Sequence, residues 1–378
     1  MKKIVFTIKE SGHNLEYIHN IYEECLKMPD IDFVFVVPEK IKPYLKNFSW
    51  ENSQNIIFDF IAVEDQERCL SHNILMNAFY TASYLKKKVK EHGAIEVFVI
   101  TIMALMPFSG ILIPARISGI VYGIYLYNWK RMSLLSKFLS IAKYKYLSNN
   151  KRYKRILILN DQVSTQYLNK KYHTQKFQFL PDPYVKIEAN DELNFRETYN
   201  IPPQSVVFLH FGAIERRKGT LYIVSSIAEL PHDIKDHCFF VFAGRIKDDI
   251  KTEFYEKVQR LNHKNILIID DFCSYDTIVA MCKSSNAILM PYLEVDKSSG
   301  LLGYASQFSV PVIGSKDGLI GKLIRRYKLG VTCDPTSVDD LIINYKKVID
   351  GKVLNPSDDY CKEHSVDQFK SVILSTLE

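Results

Sequence analysis

From Val97 to Asn160 the chain contains no aspartate or glutamate. Ten basic residues stand in that stretch: Arg116, Lys130, Arg131, Lys137, Lys143, Lys145, Lys151, Arg152, Lys154 and Arg155. Elsewhere 39 basic residues face 43 acidic ones, so the formal charge of +6 is a local property of the first half. A one-signed stretch of this kind points to an acidic partner for that face. Paired cysteine motifs are also lacking. The seven cysteines (Cys25, Cys69, Cys238, Cys273, Cys282, Cys333 and Cys361) are scattered without a C-x-x-C pair. That pattern indicates neither a zinc site nor a disulfide framework and fits a reducing compartment. There is no low-complexity tract and no repeat of solenoid length. With 47% hydrophobic and 24% charged residues, disorder, collagen and coiled coil are excluded. The one run long enough to span a bilayer, Val97 to Ala115, is interrupted by Pro107, Ser109, Gly110 and Pro114. It reads better as a buried parallel strand, VFVIT, followed by a turn and short helix. The amino-terminal apolar run is too short for a signal-peptide core, so a cytoplasmic location is expected.

What is present is alternation. KIVFTI, DFVFVV, NIIFDFIAV, VFVIT, IVYGIYLY and RILILND read as strands, separated by helical stretches such as HNLEYIHNIYEECLK and Cys69 to His92. Strand–helix alternation implies a parallel sheet with helices on both faces. At FLPDPY, Phe179 to Tyr184, two prolines exclude helix and mark a domain junction. Beyond it VVFLHF, FFVFAG, ILIID, AILMPY, PVIGS and GVTCD repeat the alternation. At ~150 residues per domain, 378 residues make two. The expected architecture is α/β, two doubly wound Rossmann-like domains facing each other across a cleft. The first covers 1–182 and the second 183–360, and 361–378 includes a last helix packing back on the first domain. Ligands in such sheets sit at the carboxyl ends of strands.

Three strand-to-helix turns in the second half carry chemistry. In HFGAIERRKGTLYIV, Gly212 permits a tight turn and close approach, and Arg216, Arg217 and Lys218 follow it. Three cations there suit a diphosphate; a solvated basic loop is the plainer reading. In MPYLEVDKSSGLLGYASQFSVPVIGS, a polar loop leads to Ser298, Ser299 and Gly300 and then a helix, whose amides can bind phosphate. An ordinary capping serine is the commoner role of such a residue. In SKDGLIGKLI, Gly318 and Gly321 open a further turn, which reads equally as a plain βα loop.

The order and spacing of the G…RKG turn, the PY-loop-SSG-helix and the PVI strand resemble the donor domain of GT-B glycosyltransferases, retaining family 4 (glycosyl transferases group 1), from about Ser205 to Asp350. The first half matches in architecture only. The resemblance implies a nucleotide diphosphate sugar as co-substrate, no other cofactor and no metal. No D-x-D metal motif occurs in a suitable loop. It implies that Lys218 holds the donor diphosphate and that Arg217, or else Arg216, is its partner. The arginine expected directly after the glycine of the turn is Ala213 here. Of two expected glutamates eight positions apart, one is Asp296, with Glu294 as a substitute, and the other is Tyr304. A tyrosine cannot accept two ribose hydroxyls as a carboxylate does. The mechanism implied is a front-face reaction in which the leaving phosphate helps deprotonate the acceptor. The sequence indicates neither sugar nor nucleotide.

In the first half, Gly12 and His13 of KESGHN are candidates for the acceptor side; a loop histidine without a role is the plainer reading. WKRMSLLSKFLSIAKYKYL, Trp129 to Leu147, is expected to be a helix with Leu135, Phe138, Leu139 and Ala142 on one apolar face. It either packs that face into the domain or rests on anionic lipid, with Trp129 at the interface, which would suit a lipid-linked acceptor. The expected partners are the nucleotide sugar, a glycan or lipid-linked acceptor and an anionic membrane surface. The function expected is synthesis of a cell-surface polysaccharide or glycolipid, and the alternative is a non-catalytic scaffold of the same fold. Nucleic acid is disfavoured because the basic stretch lacks interleaved stacking aromatics on a recognisable module.

Overall fold

A computed structural model describes residues 1–10, 14–45, 53–184, 186–187 and 193–378. Gly12 and His13 lie outside the described residues. The chain divides into two compact units, Met1–Asp182 with Val366–Glu378, and Pro183–Ser365.

The first unit is built on β1 (Lys2–Phe6), β2 (Asp32–Pro38), β3 (Ile56–Ile61), β4 (Glu96–Val99), β5 (Arg116–Val121), β6 (Tyr153–Leu159) and β7 (Phe177–Leu180). All pairings are parallel, in the order β3-β2-β1-β4-β5-β6-β7. The central strands are buried on both faces, which is why they read as continuous apolar runs. On one face Ile4, Val34 and Val99 meet Leu85, Val89, Tyr144, Leu147 and Leu168 from the helices Ile74–His92, Leu134–Asn149 and Gln162–Tyr172. On the other, Val5 and Phe35 meet Tyr17, Ile18 and Ile21 of the helix Asn14–Leu26. The terminal helix Val366–Leu377 closes that face with Phe369, Ile373 and Leu377. It begins at Val366; Tyr360, Cys361 and His364 belong to the second unit.

Local structure departs from the sequence reading in four places. IVYGIYLY is a strand only as far as Val121, because Tyr125–Arg131 forms a 3-10 turn. Trp129 lies in that turn, outside the helix. Ser133 starts the helix by accepting the Ser136 N–H at 3.2 Å. The stretch Cys69 to His92 is interrupted: one helix ends at Leu70, and Asn73 caps the next through the Met76 N–H at 3.0 Å. Phe177–Leu180 is an edge strand running into the proline-bearing junction. Among the described residues no helix is long and apolar enough to cross a membrane.

The second unit carries β8 (Val206–Phe211), β9 (Cys238–Ala243), β10 (Ile266–Ile269), β11 (Ala287–Met290), β12 (Val312–Ser315) and β13 (Gly330–Cys333). These form a parallel sheet in the order β10-β9-β8-β11-β12-β13. Phe208 packs on Phe240 and Tyr345, with ring centroids 5.3 and 4.8 Å apart. The strand order reverses between β8 and β11, and a ligand crevice opens at such a point, at the carboxyl ends of the strands.

Candidate functional site

β8 ends at Phe211, and Gly212 turns the chain with φ +82°. A β-carbon at Gly212 would stand 3.1 Å from the Lys218 ammonium, so glycine keeps that cation open. Arg216–Lys218 is one 3-10 turn, closed by Gly219 at φ +74°. A β-carbon on Gly219 would lie 2.1 Å from the Pro291 carbonyl oxygen. Only glycine lets the basic turn rest on the end of β11 in this way. The Leu293 N–H donates to the Arg217 carbonyl at 2.7 Å, and the Leu319 N–H donates to the Val295 carbonyl at 2.7 Å. Main-chain bonds therefore join all three turns, which are distant in sequence.

Lys218 is 7% exposed and lies 5.7 Å from the centroid of the buried Tyr292 ring. The Tyr292 hydroxyl is 3.3 Å from Ser299 Oγ. One tyrosine thus bridges the basic turn and the serine loop. Among the described residues the Lys218 ammonium has no hydrogen-bond or ion-pair partner. Burial lowers its pKa to about 8, with Arg217 adding to the effect and Glu215 opposing it. Such a cation is poised for an anion that the described residues do not supply. Behind it, His210 is fully buried between the Leu289 carbonyl (2.9 Å from Nδ1) and Thr220 Oγ1 (3.0 Å from Nε2). Burial drives its pKa down to about 4, so it is a neutral clamp.

The two arginines part company. Arg217 stays beside Lys218 and pairs with Glu215 at 2.5 Å. Arg216 turns the other way, to Glu253 at 2.9 Å and the Asp249 carbonyl at 3.3 Å, both on the helix Asp248–Leu261. It lines a separate cleft with Tyr222 and Lys257. In this structure the expected donor-side residue Arg216 is held by a carboxylate on the neighbouring helix.

Ser298, Ser299 and Gly300 precede the short helix Leu301–Gln307. Ser299 Oγ accepts the Leu301 N–H at 3.4 Å. Glu294 is exposed and pairs with Lys297 at 3.5 Å, while Asp296 is half-buried. Tyr304 packs on Phe211, with centroids 5.7 Å apart. Both rings border a cavity of about 380 Å³ that begins at Gly212 and Ala213. Arg245, Lys247, Asp271 and Phe272 also line it. The sequence reading missed these four. A signal was available: Gly244-Arg245-Ile246-Lys247 follows β9 as glycine and cations follow β8. Asp271 Oδ1 is 4.0 Å from Arg245 Nε. Among the described residues no cluster of histidine, cysteine or carboxylate side chains could hold a metal ion.

Residues 191–365, nearly the whole of the second unit, match the family model of the glycosyl transferases group 1. That stretch, a little under half of the chain, is similar to the group 1 glycosyl transferases. No curated protein sequence matches the chain. Solved structures do resemble it. WaaG, a glycosyltransferase involved in lipopolysaccharide biosynthesis, aligns with 15% identity and a TM-score of 0.62 over 99% of this chain and 95% of its own. HepE from Anabaena, in complex with UDP-glucose, aligns with 12% identity and a TM-score of 0.69 over 100% and 99%. An α,α-trehalose-phosphate synthase (UDP-forming) from Burkholderia vietnamiensis aligns with 8% identity and a TM-score of 0.66 over 100% and 98%. At these identities the likeness is one of fold. The fold is GT-B, and the site described above lies within the residues that match the group 1 model.

Proposed function

We propose that the protein is a retaining glycosyltransferase. It moves a sugar from a nucleotide diphosphate sugar to a glycan or lipid-linked acceptor, without a metal, in the synthesis of a cell-surface polysaccharide or glycolipid. One observation carries this reading: the buried Lys218 ammonium, without a hydrogen-bond or ion-pair partner among the described residues, stands against Gly212 and is linked through Tyr292 to Ser299. As the bond to the sugar breaks, negative charge grows on the leaving diphosphate. Lys218 and Arg217 hold that charge in a site shielded from water, where such interactions are strong. These cations supply the charge that a metal would otherwise bring. The leaving phosphate, on this reading, takes up the acceptor proton.

The nucleoside occupies the 380 Å³ cavity. Tyr304 and Phe272 offer ring faces to the base, and Asp271 is the carboxylate on that wall able to accept ribose hydroxyls. The UDP-glucose complex of HepE makes uridine the first nucleoside to try.

The test is a thermal-shift screen of UDP-, GDP- and ADP-sugars, followed by hydrolysis of the best binder with and without EDTA. NMR of the released or transferred sugar reads the anomeric configuration. Stabilisation by one nucleotide class with EDTA-resistant, retaining release is expected. No stabilisation by any of them would sink the proposal. Ala213 and Tyr304 favour a second reading, a scaffold that binds the donor without transfer. Binding with no release from any sugar would select it.

A further inference from the structure

The helices Ile74–His92 and Leu134–Asn149 cover the same face of the seven-stranded sheet. The first follows β3 by way of the helix Val63–Leu70 and the second follows β5 by way of the turn Tyr125–Arg131; each leads into the next parallel strand, so both open toward the carboxyl edge of the sheet. Both helices expose large apolar side chains there. Ile74 is 90% exposed, and Leu75, Met76 and Phe79 are exposed beside it. Leu134 is 84% exposed, followed by Leu135, Phe138 and Leu139. Each helix buries a different set, Ala78, Ala82, Leu85 and Val89 on one, Tyr144 and Leu147 on the other. The apolar face expected on the Trp129 to Leu147 segment is therefore not core; it is a second apolar surface turned to solvent.

Charge selects what covers it. The segment around the second helix carries Lys130, Arg131, Lys137, Lys143 and Lys145 within a stretch free of acids. The Lys137 ammonium lies 5.2 Å from the centre of the Trp129 ring. The nearby acids, Glu64, Asp65 and Glu67, sit on the helix Val63–Leu70, where Asp65 pairs with Arg68 at 2.6 Å. A second copy docking by a two-fold would bring these cations against their own kind. Anionic headgroups neutralise them while acyl chains receive the leucines and phenylalanines.

We infer that these two helix ends form a docking surface for an anionic bilayer. The Ile74–Phe79 turns supply mainly apolar anchorage, and the Trp129–Leu139 segment supplies both apolar and cationic anchorage. The inference extends the proposed function, since a lipid-linked acceptor would be met at this surface.

The experiment is sedimentation of the full chain with phosphatidylglycerol–phosphatidylcholine vesicles and with pure phosphatidylcholine vesicles. Binding to the anionic vesicles at low salt, weakened by salt and lost on neutral vesicles, is expected. Leu135→Asp/Phe138→Asp and Ile74→Asp/Met76→Asp should each weaken partitioning about tenfold or more. Their melting temperature and nucleotide-sugar hydrolysis should stay at the wild-type level. Wild-type partitioning of either double variant overturns the two-helix surface. So does a dimer, seen by light scattering, that Leu135→Asp/Phe138→Asp dissociates. Vesicle binding and donor hydrolysis are read separately: a chain that sediments but hydrolyses no donor refutes the proposed activity and leaves the surface standing.

Discussion

The two sheets share the strand order 3-2-1-4-5-6 at their centres, yet their carboxyl edges have been put to different uses. In the second unit the turns after β8, β11 and β12 are polar, glycine-bearing and bonded to one another through the main chain. They enclose a cation. In the first unit the helix ends after β3 and β5 leave leucine, isoleucine and phenylalanine in solvent, with basic residues beside them. Cations occur at both edges, but their surroundings differ. Lys218 is buried and its pKa is depressed to about 8. Lys137 and Arg131 keep contact with water and act through summed charge. Burial turns a lysine into a site for one anion; a row of exposed ones makes a surface for many.

The comparison can be broken or sharpened by substitution. Lys218→Ala should lower donor turnover by about 10²–10³ with the fold intact by circular dichroism. Phe138→Asp in the other unit should leave turnover unchanged, and equal losses from both would erase the distinction. Gly219→Val combines a positive φ with a 2.1 Å approach to Pro291. It should cost about 1–3 kcal/mol of stability, read in a denaturant titration; an unchanged midpoint would show that the basic turn need not rest on β11.

The third prediction concerns pH. The folded chain holds the Lys218 pKa at about 8, below its ordinary 10.5. A bound diphosphate favours the ammonium and raises that pKa. Nucleoside diphosphate affinity should therefore be full below pH 8 and fall above it by up to ~tenfold per pH unit, with proton uptake on binding. Calorimetry in buffers of different ionisation enthalpy measures that uptake; none at pH 9 would mean that the diphosphate does not meet Lys218. In the unliganded protein the sign is the reverse. Between about pH 8 and 10.5 the unfolded chain binds more protons at this residue, so its contribution to stability rises with pH. The smallest effect is expected from Arg216→Ala, within ~2-fold in affinity, because its exposed pair with Glu253 is worth at most ~1 kcal/mol and points elsewhere. Arg217→Ala should exceed it.

Much of the fold was legible because parallel strands buried on both faces announce themselves as apolar runs, VVFLHF and AILMPY among them. The three turns were legible because each sets glycine among polar residues between a strand and the next helix. Less was legible where the outcome depends on a capping contact or on what lies opposite. Periodicity placed Leu135, Phe138 and Leu139 on one face but could not say whether that face meets protein or solvent. Trp129 lies outside the helix because Ser133 caps it, a choice of four residues that periodicity does not fix. Arg216 and Arg217 are adjacent in sequence, and Glu253, 37 positions from Arg216, separates them. The cavity residues Arg245 and Asp271 come from the ends of two other strands, and no single motif contains both.

The main-chain bonds from Leu293 to Arg217 and from Leu319 to Val295 have a kinetic and entropic corollary. A cradle already stitched shut has little disorder left to surrender when its guest arrives. Nucleotide capture in this half should accordingly follow a single fast phase, with no slow rearrangement behind it.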